Sequence, residues 1–288
     1  MMLNFDIRPL QLRQRPLLAY ATLTFAISWG GILAVLAARG FDLSTPGPSE
    51  LGVDFALMLL GPSVAGLTLT ALCGGRAGLR DVWARCLCWR TGPGWYAVAL
   101  LTAPLLLLAI LLCFTALVSP VFAPGLQWAL FGAGLIAGSF EEIGWTGFAT
   151  PRLLVWCHAG MAGLLLGLIW AFWHLLVDFR YNIAAMGVVW PLEFAVVYIA
   201  TLTPYRILMT WIYSKTGSVL LAILMHASFT GWLLVLFPAV SLSQSLLWQT
   251  AFAAVLWLAA AFAVRRPTAG APVQNVARVG PPGHLVQT

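Results

Sequence analysis

Uncharged apolar runs of about 20 residues recur along the whole chain, and this pattern limits the possible folds more than any other feature. A helix of that length crosses the roughly 30 Å hydrocarbon layer of a bilayer. Asp, Glu, Lys and Arg make up only 8% of the 288 residues, whereas a soluble domain carries roughly a quarter. The sequence therefore predicts an all-α polytopic membrane protein and excludes a soluble enzyme with a charged shell.

The apolar runs, read between charges and Gly/Pro clusters, predict about eight transmembrane helices. No repeat or linker separates them, so residues 1–266 are expected to form a single transmembrane domain. Residues 267–288, rich in Pro, Gly and Val, are expected to be a disordered cytoplasmic tail. The approximate spans are 17–38, 52–74, 94–118, 127–149, 159–179, 187–204, 217–237 and 245–264.

The basic residues support this arrangement. If the N-terminus is cytoplasmic, eight spans place 13 of the 15 Lys and Arg residues on the cytoplasmic side, as the positive-inside rule requires. Only Arg39 and Arg180 fall outside. Arg206 and Lys215 are interpreted as loop charges that set the topology, and Asp54 as the cap of the second span. Both termini are therefore expected to be cytoplasmic.

The net charge of +6 is spread over short loops, which does not indicate a nucleic-acid surface. A membrane-embedded or membrane-associated substrate and the lipid bilayer are the expected partners. The sequence is rich in Ala, Leu and Gly and has one Lys against 14 Arg. This composition favours a GC-rich bacterial genome and hence the inner, or plasma, membrane.

A few ionisable residues fall inside the predicted spans, where each costs at least about 2.5 kcal/mol unless it meets a partner or a wet cavity. Glu141 and Glu142 lie in the cytoplasmic half of the fourth span, His174 in the fifth and His226 in the seventh. Adjacent helical positions are about 100° apart, so the two carboxylates are expected to point in different directions.

Three helices that each bring Glu or His to membrane depth form an arrangement suited to activating a buried water. The water is bound either by a metal ion or directly by a general base. A proton relay or transporter also uses intramembrane Glu and His, although the inverted repeat typical of many transporters is absent from the sequence. With straight spans the side chains differ in depth by roughly 10–15 Å. The difference shrinks if the fifth helix begins near Met161, which would draw Asp178 and Arg180 inside.

The segment from Glu141 to Phe148, the following Pro151-Arg152-Leu153, Trp-x-x-x-His ending at His174, and His226-Ala-Ser-Phe-Thr230 resemble three family motifs. They are similar, in order and spacing, to those of the CAAX-protease and bacteriocin-processing (CPBP) family. That family comprises intramembrane endopeptidases, including type II CAAX prenyl endopeptidases, and bacterial proteins associated with bacteriocin self-immunity. The resemblance covers about 130–235.

The resemblance implies a role for each matched residue. Glu141 is the implied general base, assisted by His174 at the same water, and His226 stabilises the developing oxyanion. Glu142 orients the site, in the family by pairing with the motif arginine. Glu141, His174 and His226 would also supply the three ligands of a catalytic Zn²⁺, with water as the fourth. A metal-independent mechanism remains equally open.

Two positions depart from the family pattern. Thr146 stands at the motif arginine, and Thr230 stands at the motif Asn or Asp of the third motif, where it still offers one hydroxyl donor. Glu142 is then expected to be protonated or paired with another group such as Arg152. The preferred function is an intramembrane endopeptidase that cleaves near the cytoplasmic half of the membrane. The alternative is a weakly active or inactive member that acts as an immunity or interaction protein.

Overall fold

A computed structural model describes residues 15–44 and 46–265, with the side chain of Pro48 excepted. The predicted tail, 267–288, lies outside the described residues. The first helices are α1 (Pro16–Ala38), α2 (Pro48–Cys86), α3 (Pro93–Leu117) and α4 (Phe131–Gly144), and α4 continues through Trp145–Ala149 and Thr150–Leu153. Next come α5 (Ala159–Trp173), α6 (Leu175–Met186) and α7 (Trp190–Phe194, Ala195–Ala200 and Thr201–Thr216). The last are α8 (Val219–Leu236) and α9 (Leu242–Arg265).

These helices confirm the all-α, polytopic membrane fold. Within the described ranges, six helical stretches are long and apolar enough to cross a membrane, and one of them runs from Leu175 to Thr216. The apolar helices α4 and α5 complete the predicted set of about eight. One deviation concerns the sixth span, predicted at 187–204. Helix α7 continues to Thr216, so Arg206 lies inside a helix and not in a loop.

Glycine residues allow α4 and α8 to pack with their backbones almost in contact. A Cβ atom on Gly134 would lie 2.4 Å from the backbone nitrogen of Gly231, and one on Gly138 would lie 2.7 Å from the carbonyl oxygen of Ile223. Small residues spaced four apart are a common basis of helix association in membranes, where close van der Waals packing replaces the hydrophobic effect. This contact brings the end of α4, with its two glutamates, beside α8.

A second pair of glycines allows α5 and α7 to pack equally closely. A Cβ on Gly163 would lie 2.5 Å from the Cα of Ile207, and one on Gly167 would lie 2.8 Å from the Cα of Thr203. The backbone of α7 therefore runs directly against α5. This contact holds the middle of α7, including Arg206, next to the helix that carries Trp170.

A buried ion pair links α2 to α6, away from the glutamates. Nη1 of Arg180 lies 2.9 Å from Oδ2 of Asp54, both side chains are fully buried, and the hydroxyl of Tyr181 donates to the same oxygen over 3.0 Å. The expectation that Asp54 caps the second span is wrong, because Asp54 lies inside α2. Arg180, which straight spans place outside the membrane, is inside the bundle, where an unpaired charge would be costly.

Candidate active site

The two glutamates lie in the last turn of α4, immediately before a π-helical turn at Trp145–Ala149. A π turn inserts one extra residue into the helix and is frequent at functional sites. Glu141 is 3% exposed and Glu142 is fully buried. Their side chains have different hydrogen-bond partners, in agreement with the predicted divergence of adjacent helical positions.

Four hydrogen bonds converge on the carboxylate of Glu142. Arg206 donates from Nη1 to Oε2 over 2.7 Å and from Nη2 to Oε1 over 2.9 Å. Nδ1 of His226 lies 2.7 Å from Oε1, and the hydroxyl of Thr146 donates to Oε2 over 2.5 Å. All these neighbours can donate, so Glu142 acts as the acceptor throughout. A planar guanidinium that binds both oxygens also defines the orientation of the carboxylate.

Arg206 is therefore the cation that neutralises Glu142, and its interpretation as a loop charge is wrong. The suggestion that Arg152 could pair with Glu142 is wrong as well. Nη1 of Arg152 donates to the backbone oxygen of Phe148 over 2.8 Å, and its guanidinium lies 3.6 Å from the centre of the Phe148 ring.

Glu141 has a different environment. The indole nitrogen of Trp170 donates to Oε2 of Glu141 over 2.7 Å, and Nε2 of His226 lies 3.9 Å from Oε1. A separation of 3.9 Å is too long for a direct hydrogen bond. One oxygen of Glu141 is thus held in place, and the other faces the imidazole of His226 without a direct bond to it.

Trp170 connects the members of the site. The guanidinium carbon of Arg206 lies 4.1 Å from the centre of the Trp170 ring, which is cation–π geometry. The imidazole of His226 lies edge-on to the same indole at a centroid distance of 5.1 Å, and that of His174 lies at 5.8 Å. The buried indole therefore sets the relative positions of three ionisable side chains.

His174 lies at the junction of α5 and α6 and is half-buried. Its Nδ1 is 2.8 Å from the backbone oxygen of Trp170. A carbonyl oxygen can only accept, so Nδ1 carries the hydrogen and the neutral ring has its lone pair on Nε2. The ring of Tyr198, on the π-helical turn of α7, lies 5.0 Å from that of His174.

Helix α5 begins at Ala159, where the predicted fifth span also begins. Asp178 and Arg180, which follow on α6, lie inside the bundle at 2% and 0% exposure.

Thr230 is the one predicted site residue without a polar contact in the site. It follows His226 by one turn of α8 and is half-buried. Within the part of the chain that the structure describes, its hydroxyl makes no hydrogen bond. Its catalytic role stays a prediction.

The three donors proposed for Zn²⁺ surround Trp170. Among residues 15–44 and 46–265, no group of three or more His, Cys, Asp or Glu side chains is arranged to hold a metal ion. Nδ1 of His226 is directed at Glu142 and Nδ1 of His174 at a backbone oxygen, which leaves Nε2 of each ring as the nitrogen that could bind a metal. Binding of Zn²⁺ by Glu141, His174 and His226 stays a prediction.

Two members of the site, Arg206 and Trp170, take part in ways that hydropathy does not reveal. Arg206 lies at the end of the predicted sixth span. At such a position the neighbouring residues do not reveal whether an arginine lies in a loop or is buried in the bundle. The available signal was the absence of an arginine at Thr146, because a buried Glu142 still needs a cation. Trp170 belongs to the Trp-x-x-x-His pattern, but its hydrogen bond to Glu141 depends on packing between α4 and α5.

Comparisons with known proteins point to the same segment. Residues 104–232 match the family model described as type II CAAX prenyl endopeptidase Rce1-like. A curated relative, CAAX prenyl protease 2 of Methanococcus maripaludis, is 32% identical over 98 residues, which are 32% of this chain and 35% of the relative. The chain thus aligns with about a third of that relative's length. The matched residues 104–232 contain Glu141, Glu142, His174, His226, Trp170 and Arg206, so the segment that carries the candidate site is the one that is similar to type II CAAX prenyl endopeptidases.

Proposed function

We propose that the chain is an intramembrane endopeptidase in which Glu141 activates the hydrolytic water. The observation that carries the proposal is the position of Glu141. One of its oxygens is held by Trp170, and the other lies 3.9 Å from Nε2 of His226 inside a buried cluster. A carboxylate with one anchored oxygen and one available oxygen is suited to general-base catalysis.

In the proposed reaction the water oxygen attacks the peptide carbonyl carbon while Glu141 takes one of the water's protons. Nε2 of His174 carries the lone pair and assists as an acceptor on the same water. The C–N bond then breaks, and Glu141 returns the proton to the leaving amine nitrogen. This sequence consumes one water and yields a carboxylic acid and an amine.

His226 is assigned to the oxyanion that develops on the carbonyl oxygen. Its Nδ1 is held by Glu142, so the ring presents Nε2 toward Glu141. In the protonated ring Nε2 is a donor, and a preoriented donor in a buried site stabilises developing negative charge strongly. Glu142 and Arg206 hold the ring in this position and do not touch the reacting atoms.

We propose the metal-independent form of this reaction, because the hydrogen bonds of Glu141, His174 and His226 suit them to act as a base, a second acceptor and a donor. No step of the reaction above needs a metal ion.

We further propose a peptide substrate that is embedded in or attached to the cytoplasmic half of a bacterial plasma membrane, with both termini of the enzyme in the cytoplasm. The basic residues around the end of α4, among them Arg152, support this orientation. The relative's name mentions a CAAX prenyl protease, so a peptide with a prenylated C-terminal cysteine is the first substrate to test.

The interaction-only alternative rested on the missing motif arginine at Thr146 and the missing Asn or Asp at Thr230. Arg206 supplies a cation to Glu142 from another helix, which removes the first of these two reasons for expecting an inactive site. The proton-relay alternative has no support from the family match.

The test is cleavage of a membrane-peptide library, including a prenylated C-terminal peptide, by purified protein in nanodiscs. We expect cleavage by the wild type, loss of product with Glu141→Gln and His174→Ala, and full activity with His158→Ser, which changes an exposed histidine at the start of α5. Equal cleavage by the wild type and Glu141→Gln would contradict the proposed mechanism. Absence of cleavage by the wild type would contradict the function.

A further inference from the structure

We propose that Arg206 replaces the motif arginine that is absent at Thr146, and that it acts as a positioning residue for His226 through Glu142. The inference rests on the proposed endopeptidase function and deepens it. It states that the arginine of the site has moved from α4, where the family motif carries it, to α7.

The first argument is that Thr146 and Arg206 meet at the same atom. The Thr146 hydroxyl lies 2.5 Å and Nη1 of Arg206 lies 2.7 Å from Oε2 of Glu142. Position 146, one turn after Glu142 on α4, and position 206 on α7 therefore both reach this carboxylate. Threonine is small, so it leaves the space beside Oε2 to the guanidinium.

The second argument concerns how Arg206 affects His226. Nη2 of Arg206 and Nδ1 of His226 share Oε1 of Glu142, at 2.9 Å and 2.7 Å. The guanidinium donates to both oxygens, which fixes the plane of the carboxylate. The orientation of the imidazole that is bound to this carboxylate is therefore fixed as well. Loss of Arg206 would leave Glu142 free to rotate and would release the orientation of His226.

The third argument is that the known contacts of Arg206 all belong to the site. Its charged partner is Glu142, and its guanidinium covers the ring of Trp170, which in turn donates to Glu141. Within the described residues its Nε has no hydrogen-bond partner. Arg180, another fully buried arginine, pairs instead with Asp54 and lies 3.7 Å from Glu50, so it serves as a structural counterpart.

The fourth argument is that local features of this chain bring Arg206 into reach. Gly163 and Gly167 allow α7 to lie against α5, and a Cβ on Gly167 would lie 3.2 Å from Cβ of Arg206. The π turn Ala195–Ala200 precedes Arg206 on α7. The extra residue in a π turn changes which face the rest of the helix presents.

The experiment exchanges the two side chains. Purified wild type, Arg206→Thr, Arg206→Lys and the exchange variant Thr146→Arg/Arg206→Thr are compared in nanodiscs on a peptide that the wild type cleaves, with kcat and KM measured separately. Arg180→Thr is the matched control, because it also removes a fully buried arginine from an ion pair. Melting temperature establishes which variants are folded.

We expect Arg206→Thr to lower kcat by about 10–100-fold with little change in KM, the range typical of residues that orient a catalytic group. Arg206→Lys keeps the charge but loses the bidentate hydrogen bond to the carboxylate. We therefore expect it to fold and to show a smaller loss of kcat. The exchange variant should recover most of the lost kcat. Arg180→Thr should lower the melting temperature but leave kcat of the folded protein near the wild-type value.

Wild-type kcat in Arg206→Thr, or in Arg206→Lys if Arg206→Thr does not fold, would overturn the inference and leave the endopeptidase function intact. A folded exchange variant that cleaves no faster than Arg206→Thr would also overturn it. Failure of the wild type to cleave any peptide would instead refute the proposed function, and with it the inference.

Discussion

The indole nitrogen of Trp170 lies 2.7 Å from Oε2 of Glu141 and donates a hydrogen bond that ties the end of α4 to α5. Both residues are almost completely buried, at 1% and 3% exposure. A hydrogen bond to a carboxylate in such surroundings restricts its rotation and leaves the second oxygen available. The bond therefore identifies Trp170 as the residue that positions the proposed base.

Replacement of Trp170 by Phe keeps an aromatic ring and removes only the donor and part of the indole. We expect kcat to fall about tenfold, because a hydrogen bond to a charged group contributes roughly 1.5–3 kcal/mol. Trp248→Phe is the control. The Trp248 side chain is fully buried, and its nitrogen has no partner among the described residues. Equal losses of kcat in the two variants would show that the hydrogen bond has no catalytic role.

The close packing of α4 on α8 predicts that Gly134→Ala is damaging. Its new Cβ would lie 2.4 Å from the backbone nitrogen of Gly231, and two backbones can separate only if the helices move apart. Overpacking of this kind costs about 1–3 kcal/mol, and movement of α8 would also displace His226. We expect a lower melting temperature together with a lower kcat.

Gly132→Ala is the matched control for that change. Gly132 lies on the same helix, and a Cβ there would have no atom within 4 Å. The variant should therefore match the wild type in melting temperature and in kcat. If Gly134→Ala and Gly132→Ala have the same melting temperature and the same kcat, the backbone contact between α4 and α8 does not limit substitution at Gly134.

The Asp54–Arg180 pair predicts a loss of stability without a direct loss of chemistry. Asp54→Asn leaves a fully buried guanidinium without its closest charge partner and with only the 3.7 Å contact to Glu50, and breaking a buried pair costs about 3–5 kcal/mol. Asp81→Asn removes a partner of Arg85 whose side chain is 63% exposed, and exposed pairs contribute about 0–1 kcal/mol. Thermal unfolding in detergent should show a large shift for the first variant and almost none for the second. Similar shifts of the unfolding temperature in the two variants would contradict the burial of the Asp54–Arg180 pair.

Metal removal provides a test of the proposed mechanism. No group of three metal-binding side chains is arranged for coordination in residues 15–44 and 46–265, so we expect cleavage to persist after dialysis against a strong chelator. Elemental analysis of the active protein should find far less than one zinc per chain. Loss of activity that returns on addition of Zn²⁺ would favour the metal-dependent mechanism, with rearranged Glu141, His174 and His226.

Much of the site could be predicted from the order of the residues. Glu141, Glu142, His174 and His226 were recognisable because charged and imidazole side chains are rare in apolar spans and follow a family spacing. The helices that carry them could also be predicted, because hydropathy is a property of residues that are adjacent in the sequence. The glycines at 134 and 138, and at 163 and 167, also carried a readable packing signal.

The partners of these residues depended on contacts between distant parts of the chain. Arg206 and Glu142 are 64 positions apart, and Arg180 and Asp54 are 126 apart. Hydropathy treats an arginine near the end of a span in the same way whether it faces water or a buried carboxylate. It therefore predicted a loop at Arg206, a cap at Asp54 and, with straight spans, an outer position for Arg180, and all three residues lie inside the bundle.

The sequence by itself determined the class of fold, the approximate spans and the ionisable residues of the site, because each depends on local composition and spacing. The tertiary structure alone decided that Glu142 pairs with Arg206, that Trp170 holds Glu141, and that Thr146 and Arg206 reach one carboxylate. These pairings depend on how closely α5 approaches α7 and α4 approaches α8. Such distances are set by side-chain packing across helices, which no single segment of the chain contains.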